Sequence, residues 1–173
     1  MRVTWLDSTH LLTTGFSRSA TRECILYSAA SNEVKIISRN LLDVSPAPLF
    51  PFFDADTSIL YLYAKGERSC LPFEMKPDQA QDNFAKLPTF DHDTLQLGLA
   101  FLPKRYVDTN KVEVSVALRL TAATIERVAF SIPRARVSPK LSDFRHDFDT
   151  LIQLEFFQDD VYVPTADVEK AAL

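Results

Sequence analysis

Glycine is scarce in this sequence: Gly15, Gly66 and Gly98 are the only three in 173 residues, each more than thirty residues from the next. No P-loop, G-x-G-x-x-G cradle or G-x-S-x-G elbow can be written, so nucleotide binding and serine hydrolysis by those routes are excluded. Cysteine is nearly as rare. Cys24 and Cys70 make no disulfide framework and have no C-x-x-C spacing, while His10, His92 and His146 stand in separate segments without H-x-x-x-H spacing. No metal, cofactor or catalytic nucleophile is expected. Long hydrophobic runs are missing too, since stretches such as Ile59 to Ala64 fall far short of the roughly 20 residues of a membrane helix. With neither a basic-then-apolar leader nor an N-x-S/T sequon, the sequence predicts a cytoplasmic protein with reduced thiols. An excess of positive charge is also lacking: 19 Lys and Arg against 23 Asp and Glu give a net charge of −4. That balance argues against nucleic acid as a partner.

What remains is rich in sheet formers, with 13 Phe, five Tyr and ten Pro. Short apolar pieces bounded by turn residues run through the first part of the chain: Val3 to Asp7, His10 to Ser17, Glu23 to Ser28 and Val34 to Arg39. A second set follows, with Pro48 to Phe53, the Asp54-Ala55-Asp56 turn, Ser58 to Ala64, the Lys65 to Arg68 turn, and Ser69 to Met75. Pro72 inside the last piece implies an edge position or a missing ladder bond. Tyr27 and Phe73 hold equivalent places about 46 residues apart, close to the roughly 40–45-residue period of a four-stranded propeller blade. A third unit spans Leu95 to Pro103, Lys111 to Leu120 and Ile125 to Ile132, the alternation of Val112, Val114, Val116 and Leu118 marking a half-buried strand. Lys76 to Asp93 reads as a polar connection. Beyond Pro133, Ser138-Pro139 and the helical spacing of Leu141, Phe144, Phe148, Leu151 and Ile152 predict one short amphipathic helix. Asp54, Asp56, Asp91 and Asp93 read as turn formers whose carboxylates accept backbone N–H bonds.

Five blocks in order resemble coronins, a family of WD-repeat actin regulators. They are T-T-G-F-S-R (Thr13 to Arg18) with Arg22-Glu23, P-F-F-D-A-D-T-S-I-L-Y-L (Pro51 to Leu62) with P-F-E (Pro72 to Glu74), L-P-K-R (Leu102 to Arg105) with D-x-N-K (Asp108 to Lys111), I-P-R (Ile132 to Arg134), and F-Q-D-D-V-Y-V-P-T-A (Phe157 to Ala166). The resemblance implies an all-β fold, a partial WD40-type β-propeller of roughly three blades out of seven. It places those blades at 1–135, an inserted and helical segment at 136–155 and a coronin-type C-terminal extension at 156–173. The insert is absent from the family pattern. A lineage-specific insertion and retained intron sequence both account for it, and the transcript across Val137 to Glu155 distinguishes them. The family's G-K-G-D turn appears as Ala64-Lys65-Gly66-Glu67, which is expected to alter that turn. Coronins also carry earlier blades, and many carry a coiled coil. This chain shows neither, and on its own it is expected to expose strand edges and behave poorly in solution.

The resemblance implies a non-enzymatic scaffold that binds actin filaments and engages the Arp2/3 complex. The alternative is a truncated or tandem-coronin interaction module that acts in assembly or trafficking without filament contact. The candidate partner-binding residues are the loop cations Arg18, Arg22, Lys65, Arg68, Lys104, Arg105 and Lys111, which blade loops on one face would gather into a basic patch.

Overall fold

The computed structural model describes residues 1–30, 33–79, 81–108 and 112–131. Its strands fall into three antiparallel sheets. The first runs in the order β1 (Arg2–Trp5), β2 (His10–Phe16), β3 (Arg22–Ser28), β4 (Lys35–Leu41). The second runs β5 (Leu49–Asp54), β6 (Ile59–Ala64), β7 (Ser69–Met75), β8 (Phe84–Lys86), with the short β9 (Phe90–Asp91) also on β7. The third comprises β10 (Gly98–Phe101), β11 (Glu113–Leu120) and β12 (Ile125–Ser131). Tyr27 and Phe73 both stand on third strands, so the repeat seen in the sequence is a repeat of meanders. The predicted helix and the extension beyond it lie outside the described residues.

Period-2 alternation decides which side chains meet. Leu12, Cys24 and Leu26 leave one face of the first sheet, while Leu49, Leu60, Leu62, Phe73 and Met75 leave the facing side of the second, and together they form one buried core. The Thr14 hydroxyl ties the two sheets, donating to the Leu49 carbonyl at 3.0 Å. β6 is apolar at every position because it is covered on both faces: Leu60 and Leu62 enter this core, while Ile59 and Tyr61 are buried on the opposite side.

Turns are made with almost no glycine. Asp7 accepts from the Thr9 and His10 amides at 2.6 and 2.8 Å, and Asp54 accepts from the Asp56 amide at 3.2 Å and the Thr57 hydroxyl at 2.9 Å, both as expected of Asx turns. Left-handed backbone falls on Ala20 (φ 59°) and Ser58 (φ 53°), where a glycine would sit without strain.

Two expectations are corrected. Lys76 to Asp93 is not a plain connection, since β8 and β9 lie within it and complete the second sheet; each is too short to carry a periodic signal. The Ala64-Lys65-Gly66-Glu67 turn is not disturbed by alanine, because Ala64 closes β6 and Gly66 alone takes the positive φ, at 80°. Pro72 resolves its two alternatives. β7 is interior to its sheet, so the edge position does not hold. The Pro72 carbonyl accepts from the Leu87 amide at 3.0 Å, which turns the proline nitrogen toward the same neighbour, at the point where the outer strand breaks between β8 and β9.

The chain divides into two compact units, one of Met1–Ala100 with Leu118–Glu126, the other built on Phe101–Ala117 and the residues from Arg127. In the second unit Phe101 and Phe130 stack with centroids 5.6 Å apart, and Glu113 is clamped by Arg127 at 2.5 Å.

Candidate interaction surface

The seven loop cations do not form one patch. Arg22 is only 3% exposed. Its guanidinium forks onto Asp43 through two 2.5 Å contacts, and reaches Glu67 at 2.8 Å and the Ala47 carbonyl at 3.2 Å. Buried arginine of this kind locks the loop after β4 to the β6–β7 turn, with four of its five N–H donors engaged. Lys104, 8% exposed, lies in a 3-10 turn (Lys104–Tyr106) and donates from Nζ to the Val114 carbonyl at 2.6 Å. Both are removed from the set of surface cations: a sequence cannot reveal that a loop cation is turned inward to satisfy buried acceptors. Arg18, Lys65, Arg68 and Arg105 are exposed, Arg105 lying 5.0 Å over the Tyr106 ring. Lys111 lies outside the described residues.

Among the exposed cations, Lys65 stands on a braced turn. Gly66 donates its amide to the Gln96 carbonyl at 2.7 Å, Gln96 donates its own to Glu67 at 2.9 Å, and the Gln96 side-chain amide donates to the Ala64 and Ser69 carbonyls at 3.2 and 2.9 Å. Gln96 is 1% exposed and acts as a brace under the turn. Glu67, the acidic member of the turn, is drawn away by Arg22 and by the Ser45 hydroxyl at 2.6 Å. Lys65 therefore projects without a local carboxylate.

The residue it approaches is Phe50. Phe50 on β5 and Tyr63 on β6 are register partners whose rings stack with centroids 5.3 Å apart at 20°. Arg2 from β1 lays its guanidinium carbon 3.6 Å from the Phe50 centroid, and Lys65 Nζ stands 5.6 Å from the same centroid. Burial pushes the Tyr63 hydroxyl above its ordinary value of 10.0, against the opposing influence of the Leu99 backbone and the Arg2 charge. Sequence reasoning found Lys65 and missed Arg2, Phe50 and Tyr63. Arg2 and Phe50 belong to the first strands of successive sheets, and only the packing of those sheets makes them neighbours.

The remaining polar clusters are structural. Arg119 donates to Glu126 at 2.6 Å and to the Thr94 hydroxyl at 2.8 Å and carbonyl, with His92 3.7 Å from Glu126. Burial pushes both thiols, Cys24 and Cys70, up to about 12, which silences them as nucleophiles. Among the described residues no group of His, Cys, Asp and Glu is placed to hold a metal ion. No helix among them is long and apolar enough to cross a membrane.

Known proteins similar to this chain include coronins, whereas no model of a protein family matches. The chain is 32% identical over 155 residues to Coronin-A of Dictyostelium discoideum, covering 90% of this chain and 30% of that protein. It is 32% identical over 166 residues to human Coronin-7, covering 95% of this chain and 16% of that protein, and 33% identical over 168 residues to the Bos taurus Coronin-7. The chain thus spans a third or less of the length of these curated relatives. Its fold matches the crystal structure of the WD40 domain from Toxoplasma gondii coronin with a TM-score of 0.70 at 24% identity, over 78% of this chain and 35% of that one.

Proposed function

This chain belongs to the coronin family, homologous to its members over most of its length, and on that premise we propose that it works as a set of blades within an actin-filament-binding propeller. The observation that carries the reading is this homology, borne on a WD40-type fold. The protein organises filaments in the cytoplasm as a non-enzymatic scaffold, without a cofactor, and the Arp2/3 complex is its second partner. Blades at 1–135, an insert at 136–155 and a coronin-type extension at 156–173 are its segments. Arg18, Lys65, Arg68 and Arg105 supply the exposed positive charge for an acidic partner, and Lys111 belongs to the same proposed set.

The far face of the first sheet supports the propeller reading. Trp5, Leu11, Tyr27 and Ile36 stand in register across all four strands, and Trp5 and Ile36 are 56% and 57% exposed. A preceding blade would cover that row as the second sheet covers the opposite face. Co-sedimentation with filamentous actin at low salt tests the function. A protein extended N-terminally by the preceding coronin blades is expected to pellet with filaments, and its retention in the supernatant would overturn the reading.

A second reading, a tandem-coronin module acting in assembly or trafficking, has one observation in its favour. The same segment covers 30% of one relative and 16% of another, so the second is about twice as long and has room for two propellers. Extended protein that stays off filaments yet retains partners in a pull-down with and without Lys65→Glu would favour it.

A further inference from the structure

We propose that Arg2, Phe50, Tyr63 and Lys65 form a recognition site for a carboxylate side chain on an acidic segment of a partner protein. The proposal stands on local geometry and is independent of filament binding. Arg2 stands over Phe50 with its guanidinium carbon 3.6 Å from the ring centroid, and no carboxylate among the described residues takes up its N–H fork. A planar carboxylate accepts two parallel bonds from such a fork. Lys65 Nζ, 5.6 Å from the same ring, brings a second positive charge to one aromatic platform. Neither cation has a carboxylate partner among the described residues. Two cations within about 6 Å of one ring centroid, neither with a carboxylate partner there, make a positive site that a bound anion neutralises.

The platform is preorganised. Phe50 is stacked on Tyr63, its register partner on β6, with ring centroids 5.3 Å apart. Lys65 rides on the turn that buried Gln96 braces through its backbone and its side-chain amide. Little side-chain order is therefore left to impose on binding. The site is small and aromatic, and the chain's net charge of −4 opposes adsorption to an anionic bilayer. A carboxylate presented by an extended acidic segment fits both facts.

The test uses the full chain and a fluorescein-labelled peptide of alternating Glu and Gly, read by anisotropy at low salt. Vesicles of phosphatidylcholine with phosphatidylserine form a second arm. Arg2→Gln is expected to weaken peptide binding about tenfold and Lys65→Gln about threefold, since a charge-assisted fork is stronger than a single point charge. Phe50→Leu, which keeps both charges and removes the platform, is expected to weaken it about threefold. Lys35→Gln, which removes the same charge at an exposed position on β4, leaves binding unchanged. Thermal melting of each variant alongside wild type separates lost recognition from lost fold, and Lys65→Gln, on an exposed turn, serves should Arg2→Gln melt early. Absence of peptide binding, equal binding by wild type and the Arg2→Gln/Lys65→Gln pair, equal losses in Lys35→Gln, or capture by vesicles in place of peptide would each overturn the proposal. Failure of actin co-sedimentation with peptide binding intact would remove the filament reading and leave this one standing.

Discussion

The first and second sheets are meanders of similar length that share one core, yet they differ in how they meet solvent. In the second sheet, Leu60 and Leu62 are buried on one side of β6 and Tyr61 on the other. The first sheet packs its Leu12 and Leu26 face into the core, whereas on the opposite face Ile25 is buried but Val3, Trp5 and Ile36 are more than half exposed. A sheet apolar on both sides is made to be sandwiched, and the exposed row of the first sheet is the surface that a preceding blade would cover in the proposed propeller.

The largest expected effects lie in the covered region. Leu60→Ala opens a cavity in the shared core and is expected to cost about 3 kcal/mol, measured by chemical denaturation. Trp5→Ser, made in this chain, is expected to change stability by less than about 1 kcal/mol and to lower binding of a hydrophobic dye. Equal losses at the two positions would break the contrast between the sheets.

Next in size comes the ion-pair lock joining the first sheet to the β6–β7 turn. Arg22→Met leaves Asp43 and Glu67 without their buried partner and is expected to cost about 2–3 kcal/mol. Arg18→Ala, four positions earlier on the exposed turn that leads into β3, is expected to fall within about 0.5 kcal/mol. Melting curves of the two variants check the difference.

pH is expected to act at both extremes. Burial alone would raise the Asp7 carboxyl, but hydrogen bonds from Thr9 and His10 hold it at about 2, below the ordinary 3.8. The folded state binds this proton less readily than the unfolded state, so the Asp7 contribution is full above pH 3.8 and lost as pH falls toward 2. Asp43 moves in the same direction because Arg22 hydrogen-bonds its charged form. The thiols act oppositely. Burial raises Cys24 and Cys70 from 9.0 to about 12, so unfolded chains lose these protons first and stability declines as pH climbs from 9.0 toward 12. Serine at both positions is expected to shrink the alkaline decline and leave the part that comes from the raised Tyr63 hydroxyl, measured as melting temperature against pH. The smallest effect is at the scarce-glycine turns, where Ala20→Gly is expected to gain about 0.5 kcal/mol by relieving the left-handed backbone.

Much of the fold is legible in the sequence because two signals agree, the period-2 apolar pattern and the roughly 46-residue spacing of Tyr27 and Phe73. β8 and β9 are illegible because three and two residues carry no period, and pairing with β7 alone defines them. The surface is read less well. Arg18 and Arg22 look alike in sequence, yet Asp43 and Glu67, contributed by later segments, draw Arg22 into the interior. Arg2 becomes interesting only when sheet packing brings Phe50 beneath it.

The propeller claim is tested most directly by hydrogen exchange across Arg2–Trp5, in this chain and in one extended N-terminally by the preceding coronin blades. Backbone amides of β1 are expected to slow at least about tenfold in the extended protein, as a covered sheet opens less often. Unchanged exchange there, with the extension folded, would contradict the account.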